Sequence, residues 1–198
     1  MKMLVLTRKR VFLSLIVFAF LCFISLAADI PIYQQTQFAG QILDESQIYD
    51  GDTIKDVKIL VSKGHACTLG EVWPGVWTDA NGFYVQTDIR IAGIDTPEKR
   101  PSTKNRDGSP RSKRSRDNEK YAAQASRNAL IGLLRRHNFA FKITAPQQGK
   151  YAGRTVANCT VGGVDVAAYL IEKGHALPYD GGTKTEVNWE ALDKGRMR

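Results

Sequence analysis

Phe83-Tyr84-Val85-Gln86-Thr87-Asp88-Ile89-Arg90-Ile91 is the stretch that decides the fold. Phe83, Val85, Thr87, Ile89 and Ile91 alternate with Tyr84, Gln86, Asp88 and Arg90. Period two with β-branched and aromatic residues on one side predicts a half-buried strand, with Arg90 on its opposite face. Val57, Ile59 and Val61 predict a second strand, Phe139, Phe141 and Ile143 a third, and residues 155–161 a fourth. Residues 62–82 carry Gly64, Gly70, Pro74, Gly75 and Gly82 with Trp73 and Trp77, and read as a long loop or small excursion. Ala122, Ala125, Ala129 and Leu133, with Leu130 and Leu134 beside them, recur at helical spacing. Residues 164–173 predict a second helix, with Gly174 after its end, and 186–194 a short third. Strands, helix, strands and helices in that order make the fold class α+β, a small bent sheet with about three helices packed on it.

The first 27 residues read as a separate object. Lys2, Arg8, Lys9 and Arg10 form a basic head, residues 11–26 an apolar run, and Ser25-Leu26-Ala27 a small-residue cleavage site. That is the layout of a secretory signal peptide. The rival is a retained membrane anchor, although the run falls short of the ~20 apolar residues a spanning helix needs. The expected division is a signal at 1–27, a lead-in at 28–40 and one domain at 41–198. Cleavage makes the protein secreted or periplasmic, with no stable membrane association.

The whole chain has 198 residues and a formal net charge of +8. Removing residues 1–27, with four basic and no acidic residues, leaves 171 residues and +4. An average charged fraction and a sufficient apolar one exclude wholesale disorder, and three Cys are too few for a disulfide scaffold. Cys67 and Cys159 stay open between a bridge, which an oxidising compartment permits, and a plain core thiol at 159. Residues 99–118 hold eight basic residues against two acidic ones and read as a mobile basic loop. Its functional reading is an electrostatic arm on a phosphate backbone, through Arg111, Lys113, Arg114 and Arg116. Its alternative is a solvated segment.

Asp52, Asp95 and Glu98 are carboxylates beside turn residues. Pro97 pushes Thr96 towards an extended backbone, exposing a carbonyl between two carboxylates. Carboxylates plus a carbonyl suit a hard cation such as Ca²⁺. Arg90 and Arg154 add planar guanidinium forks that match phosphate oxygens. A cation and two Arg would stabilise charge on a five-coordinate phosphorus, while Glu98 accepts a proton from water. Asp-Gly-Asp or Asp-Thr-Pro-Glu alone is ordinarily a turn or helix-start signal; the ordered set is far more specific.

Tyr49-Asp50-Gly51-Asp52-Thr53-Ile54, then Asp88-Ile89-Arg90-Ile91-Ala92-Gly93-Ile94-Asp95-Thr96-Pro97-Glu98, then Gly153-Arg154-Thr155-Val156-Ala157 resemble the staphylococcal nuclease (thermonuclease) family. Residues 164–182 are similar to the closing helix and tail of its bacterial members. The resemblance spans residues 41–182. It implies an OB-type five-stranded β-barrel and Ca²⁺-dependent hydrolysis of DNA and RNA with little sequence specificity. It implies Asp52 and Asp95 as Ca²⁺ ligands through carboxylates, and Thr96 through its carbonyl. Glu98 would activate water, and Arg90 and Arg154 would bind the phosphate and stabilise its transition state. Departure of the 5′-oxygen would leave 3′-phosphate ends. Tyr151 and Tyr179 would lie around the nucleotide and stack on bases.

Three departures stand out: a long stretch from Thr53 to Arg90, the basic loop, and one extra residue between Tyr151 and Arg154. No protein partner is expected, and the chain is expected to be a monomer. A non-catalytic OB-fold nucleic-acid-binding module is the runner-up, and an exported scaffold with its basic loop on an anionic surface a third reading. His65 and Cys67 lack a second pair for zinc, and neither His137 nor His175 is read as a catalyst.

Overall fold

The computed structural model describes residues 37–63, 70–73, 75–150 and 153–192; of residues 70–73 only the backbone is described. The signal and most of the lead-in therefore lie outside the described residues, as do Cys67 and Tyr151. No helix among the described residues is long and apolar enough to cross a membrane.

Among the described residues ten strands, two α-helices and a 3₁₀ turn follow one another. They are β1 (Gln37–Gln41), the 3₁₀ turn Glu45–Gln47, β2 (Thr53–Lys63), β3 (Gly70–Trp73), β4 (Val76–Asp79), β5 (Gly82–Ile91) and β6 (Ile94–Asp95). The long helix α1 (Lys113–Arg135) comes next, then β7 (Ala140–Gln148), β8 (Arg154–Val161), β9 (Val164–Asp165), α2 (Val166–Glu172) and β10 (Leu177–Pro178). The large sheet runs β3-β4-β5-β2-β1-β7-β8-β9, and an added parallel pairing of β5 with β8 closes β5, β2, β1, β7 and β8 into a ring. A closed ring leaves its strands no free edge and gives their inward side chains one shared interior.

That interior holds Ile54, Val57, Ile59, Ile89, Ile91, Phe141, Ile143, Ala157, Cys159 and Val161. Leu130, Leu133 and Leu134 of α1, with Val166 and Leu170 of α2, join the same core. Ala122, Ser126, Leu130 and Leu133 form the buried stripe of α1, at the i, i+3, i+4 spacing of a helix face on a core. Ala125 and Ala129 flank it, half-buried.

Three expectations need correction, and one open reading is decided. The lead-in ends before residue 40, because Gln37–Gln41 pairs with β2 and β7 and is a stave of the ring. Of the two readings of residues 62–82 the structure takes the small excursion: β3 and β4 form a hairpin, and β4 adds to β5 outside the ring. The inner face of β5 is only half buried. Ile89 and Ile91 are buried, whereas Phe83 and Val85 are 40% and 37% exposed, because β8 pairs only with Asp88–Ile91. The earlier half of β5 extends past the ring with the β3–β4 hairpin. Finally, among the described residues no third α-helix forms; of the expected 186–194, residues 189–191 form a turn and 193–194 lie outside the described residues.

α1 begins inside the stretch read as a mobile loop. Ser112 caps it, its hydroxyl accepting from the Ser115 N–H at 2.9 Å. Lys113, Arg114 and Arg116 thus belong to the first turns of a helix.

Candidate active site

The site is built where β5 leaves the ring. Gly93 adopts φ +80°, a left-handed conformation that favours glycine. The chain reverses there, and β6 brings Asp95 back beside Arg90. Arg90 and Thr53 are register partners across β5 and β2, so Asp52 arrives next to Arg90 from the other side. The Ile91 N–H donates to the Asp52 carbonyl at 2.8 Å and fixes that approach.

Arg90 lies between the two carboxylates. Its Nη1 donates to Asp52 Oδ1 at 2.8 Å and its Nη2 to Asp95 Oδ1 at 3.2 Å. Asp52 is 2% exposed and also accepts from the Thr53 hydroxyl at 2.9 Å and the Thr96 N–H at 3.1 Å. The structure thus unites Asp52, Arg90, Asp95 and Thr96, residues up to 44 positions apart in sequence.

Arg154 opens β8 and is the register partner of Asp88 in the parallel pairing with β5. Partners share a face, and Asp88 and Arg90 are two residues apart, so Arg154 and Arg90 share the outer face of the ring. Strand spacing and rise put their Cα atoms about 8 Å apart. Two guanidinium groups on one solvent-facing side match the chemistry of a bound phosphodiester.

Glu98 stands on the connection after β6. Its backbone N–H donates to Glu119 Oε1 at 3.2 Å, and Glu119 Oε2 forms an ion pair with Arg111 Nη1 at 2.7 Å. Arg111 is therefore turned inward, its side chain only 9% exposed, with Nη2 and Nε also donating to the Ser115 hydroxyl. That corrects its place on a free basic arm: a guanidinium committed to a buried carboxylate supports the Glu98 connection. Lys113, 84% exposed and paired with Asp117, and exposed Arg114 remain on the surface of α1.

Tyr179 follows β10, whose Leu177 is the register partner of Asp95 on β6, and so it lies opposite Gly93. Its N–H donates to the Gly93 carbonyl and its hydroxyl to the Gly182 carbonyl, both at 3.0 Å. Trp77 sits apart on the outer hairpin, with its Nε1 donating to Gln86 and Lys58 over its ring at 3.8 Å. Cys159 is a free, buried thiol, the core reading of the two; burial pushes its pKa up to about 12.

Three contributors escape the sequence reading as site residues. Asp50 is 7% exposed and accepts from the Asp52 N–H at 3.2 Å; burial and the charge of Asp52 push its pKa up to about 7. Burial likewise raises Asp52, against the pull of Arg90. Glu119 is the second, a charged residue on the buried face of a helix, which is the one signal that would have exposed it. Lys184 is the third, with its ammonium 2.7 Å from Asp95 Oδ1 and 2.9 Å from Glu98 Oε1.

Among the described residues no three Asp, Glu, His or Cys side chains converge as a ready cation cage. Protein cations stand between the carboxylates instead, Arg90 between Asp52 and Asp95, and Lys184 between Asp95 and Glu98. Even so, three carboxylates, Asp52, Asp95 and Glu98, meet two cations there, with Asp50 buried behind Asp52. Such hard oxygen donors, one more than the cations beside them, are of the kind that suits a divalent cation. A cleft of about 1140 Å³ opens beside Asp95, Thr96 and Glu98, bordered by Arg106, Lys184 and Trp189.

A family profile described as staphylococcal nuclease homologue matches residues 88–194, more than half of the chain. The protein belongs to that family, a family of nuclease-type hydrolases whose substrates are nucleic acids. A search of curated proteins returned no match. The matched span starts at Asp88 and so omits Asp52, which the β2–β5 register and the Arg90 ion pair carry into the site.

Proposed function

We propose that the protein is an exported, Ca²⁺-dependent nuclease that hydrolyses phosphodiester bonds of DNA and RNA with little sequence specificity, on an OB-type barrel. The observation that carries this reading is Arg90 gripped by Asp52 and Asp95 on the outer face of the ring, with Glu98 at the end of the same connection.

Asp52, Asp95 and the Thr96 carbonyl are the residues that would hold the cation. When bound, Ca²⁺ supplies charge neutralisation at a phosphate oxygen. The remaining work falls to the chain. Arg90 has five N–H donors, and its hydrogen bonds to two carboxylates lock the guanidinium plane before substrate arrives. It presents its remaining donors to the phosphate without a further loss of side-chain freedom. Arg154, from β8, takes the phosphate from the other side and stabilises charge on the departing 5′-oxygen, which leaves 3′-phosphate ends. Glu98 orients water and accepts its proton, at a backbone position held by Glu119. Backbone-directed contacts carry no base information, hence the low sequence specificity. Tyr179, opposite Gly93 at the turn between Arg90 and Asp95, would line the nucleotide.

The test is digestion of plasmid DNA and of RNA in Ca²⁺ or EGTA, with Glu98→Gln and Arg90→Lys as controls. Cleavage in Ca²⁺ alone, lost in both variants, and 3′-phosphate ends are expected. A folded protein that binds nucleic acid but never cuts it would return the reading to a binding module. Export is checked by the N-terminus of protein recovered outside the cytoplasm, expected at Ala28.

A further inference from the structure

Lys184 belongs to no motif, yet it touches two carboxylates of the site at once, Asp95 at 2.7 Å and Glu98 at 2.9 Å. An isolated surface lysine in one ion pair would carry little meaning. Lys184 differs because its backbone is anchored as well. Arg106 Nη2 donates to the Lys184 carbonyl at 3.2 Å. Further along, the Ser112 hydroxyl donates to Glu190 at 2.5 Å, and Asn118 Nδ2 donates to the carbonyls of Trp189 and Leu192 at 2.8 and 2.9 Å. Residues 184–192 thus form a strap across the basic loop and the start of α1, with Lys184 at its site end. Burial opposes the Lys184 charge, but its hydrogen bonds to Asp95 and Glu98 outweigh that, and its pKa is raised. The side chain is 42% exposed, so the ammonium has a route to water.

An ammonium and a divalent cation compete for the same carboxylate oxygens and repel each other at such distances. We propose that Lys184 is a built-in counter-cation of the site, seated on Asp95 and Glu98, which a divalent cation must displace in order to bind. The inference rests on the cation role given to Asp95 above. Without a divalent cation, Lys184 neutralises Asp95 and keeps Glu98 beside it. Once displaced it stays beside the cleft, because the strap holds its backbone.

Calorimetric titration of the full chain with Ca²⁺, without nucleic acid, tests this on wild type, Lys184→Met and Lys184→Arg. Thermal denaturation verifies that each is folded, and Asp95→Asn marks the site by abolishing binding. Lys184→Met is expected to bind Ca²⁺ at least tenfold more tightly than wild type, and Lys184→Arg within about twofold of it. Binding by the Met variant alone supports the proposal equally. Equal or weaker binding by the Met variant overturns it while the nuclease reading stands. No binding by any of the three, with cleavage indifferent to EGTA, overturns the cation role and the counter-cation together.

Discussion

Arg111 and Glu119 offer a stability experiment whose size follows from geometry. Their side chains are 9% and 7% exposed and meet at 2.7 Å, so each is the other's replacement for lost water. Removing one partner of such a pair strands a buried charge, which costs about 3–5 kcal/mol. Arg111→Met keeps most of the apolar stem, and Glu119 keeps the Glu98 N–H at 3.2 Å, so about 3 kcal/mol is expected. Glu119→Gln preserves an acceptor for that N–H and leaves Arg111 the Ser115 hydroxyl, so about 2 kcal/mol is expected. The double variant has no stranded charge. It should lose less than the sum of the single losses by about 2 kcal/mol, at the upper part of coupling energies for contacting residues. Urea denaturation measures this. With a slope of about 2 kcal/mol/M, Arg111→Met alone shifts the midpoint by about 1.5 M at unchanged slope. Single losses that add to within about 0.5 kcal/mol in the double variant would refute the pair as a coupled buried unit.

Other consequences are equally direct. A Cβ on Gly51 would lie 1.8 Å from Ser126 Oγ and 2.9 Å from Thr96 Cγ2. Gly51→Ala should therefore cost about 2 kcal/mol or more by overpacking and blunt cleavage by moving Asp52, with Ser126→Gly restoring part of both. Asp50, with its pKa pushed up to about 7, keeps a proton in the folded state that the unfolded chain has released. Stability without divalent cation should then fall as pH rises from about 4 to about 7. Asp50→Asn should flatten that fall, gaining on the order of 2 kcal/mol at pH 8 and nothing at pH 4; equal gains at both pH values in urea titrations would contradict it. Buried Cys159 should resist alkylation in the native protein and react only at the rate of unfolding, read by mass mapping of that residue.

Four of the ring's five strands and the turns of the candidate site were legible because they follow from local patterns, whereas the closure of the ring was implied only by the family resemblance. Alternation over residues 83–91 marks β5, and Asp-Gly-Asp and Asp-Thr-Pro-Glu mark the turns that carry the carboxylates. What escaped depends on register and on partners distant in sequence. Phe83 and Val85 obey the same alternation as Ile89 and Ile91, but β8 pairs only with the last four residues of β5. Periodicity cannot say where a neighbouring strand ends. Gln37–Gln41 shows no clear alternation because only Gly40 is buried in it, with Phe141 so near that a Cβ there would come within 2.7 Å of the ring. A strand that contributes backbone pairing and space for a neighbour's aromatic ring leaves little hydrophobic signature.

Charge misled in a related way. Eight basic residues in 99–118 suggest one arm facing a polyanion. The fold gives them separate roles instead. Arg111 is committed inside to Glu119, Arg106 holds the tail that carries Lys184, and Lys113 and Arg114 stay outside on α1. The cation nearest Glu98 comes instead from 86 residues further along the chain. A site rich in carboxylates must be balanced before it meets any ligand, and here the balancing groups are a strand arginine and a tail lysine. Arg90 is wedged between two carboxylates on a strand, whereas Lys184 has a half-exposed side chain on a tail, so the second is the one free to yield its place. The same asymmetry makes Asp95, shared by both cations, the carboxylate whose replacement by Asn should alter cation binding and Lys184 position together.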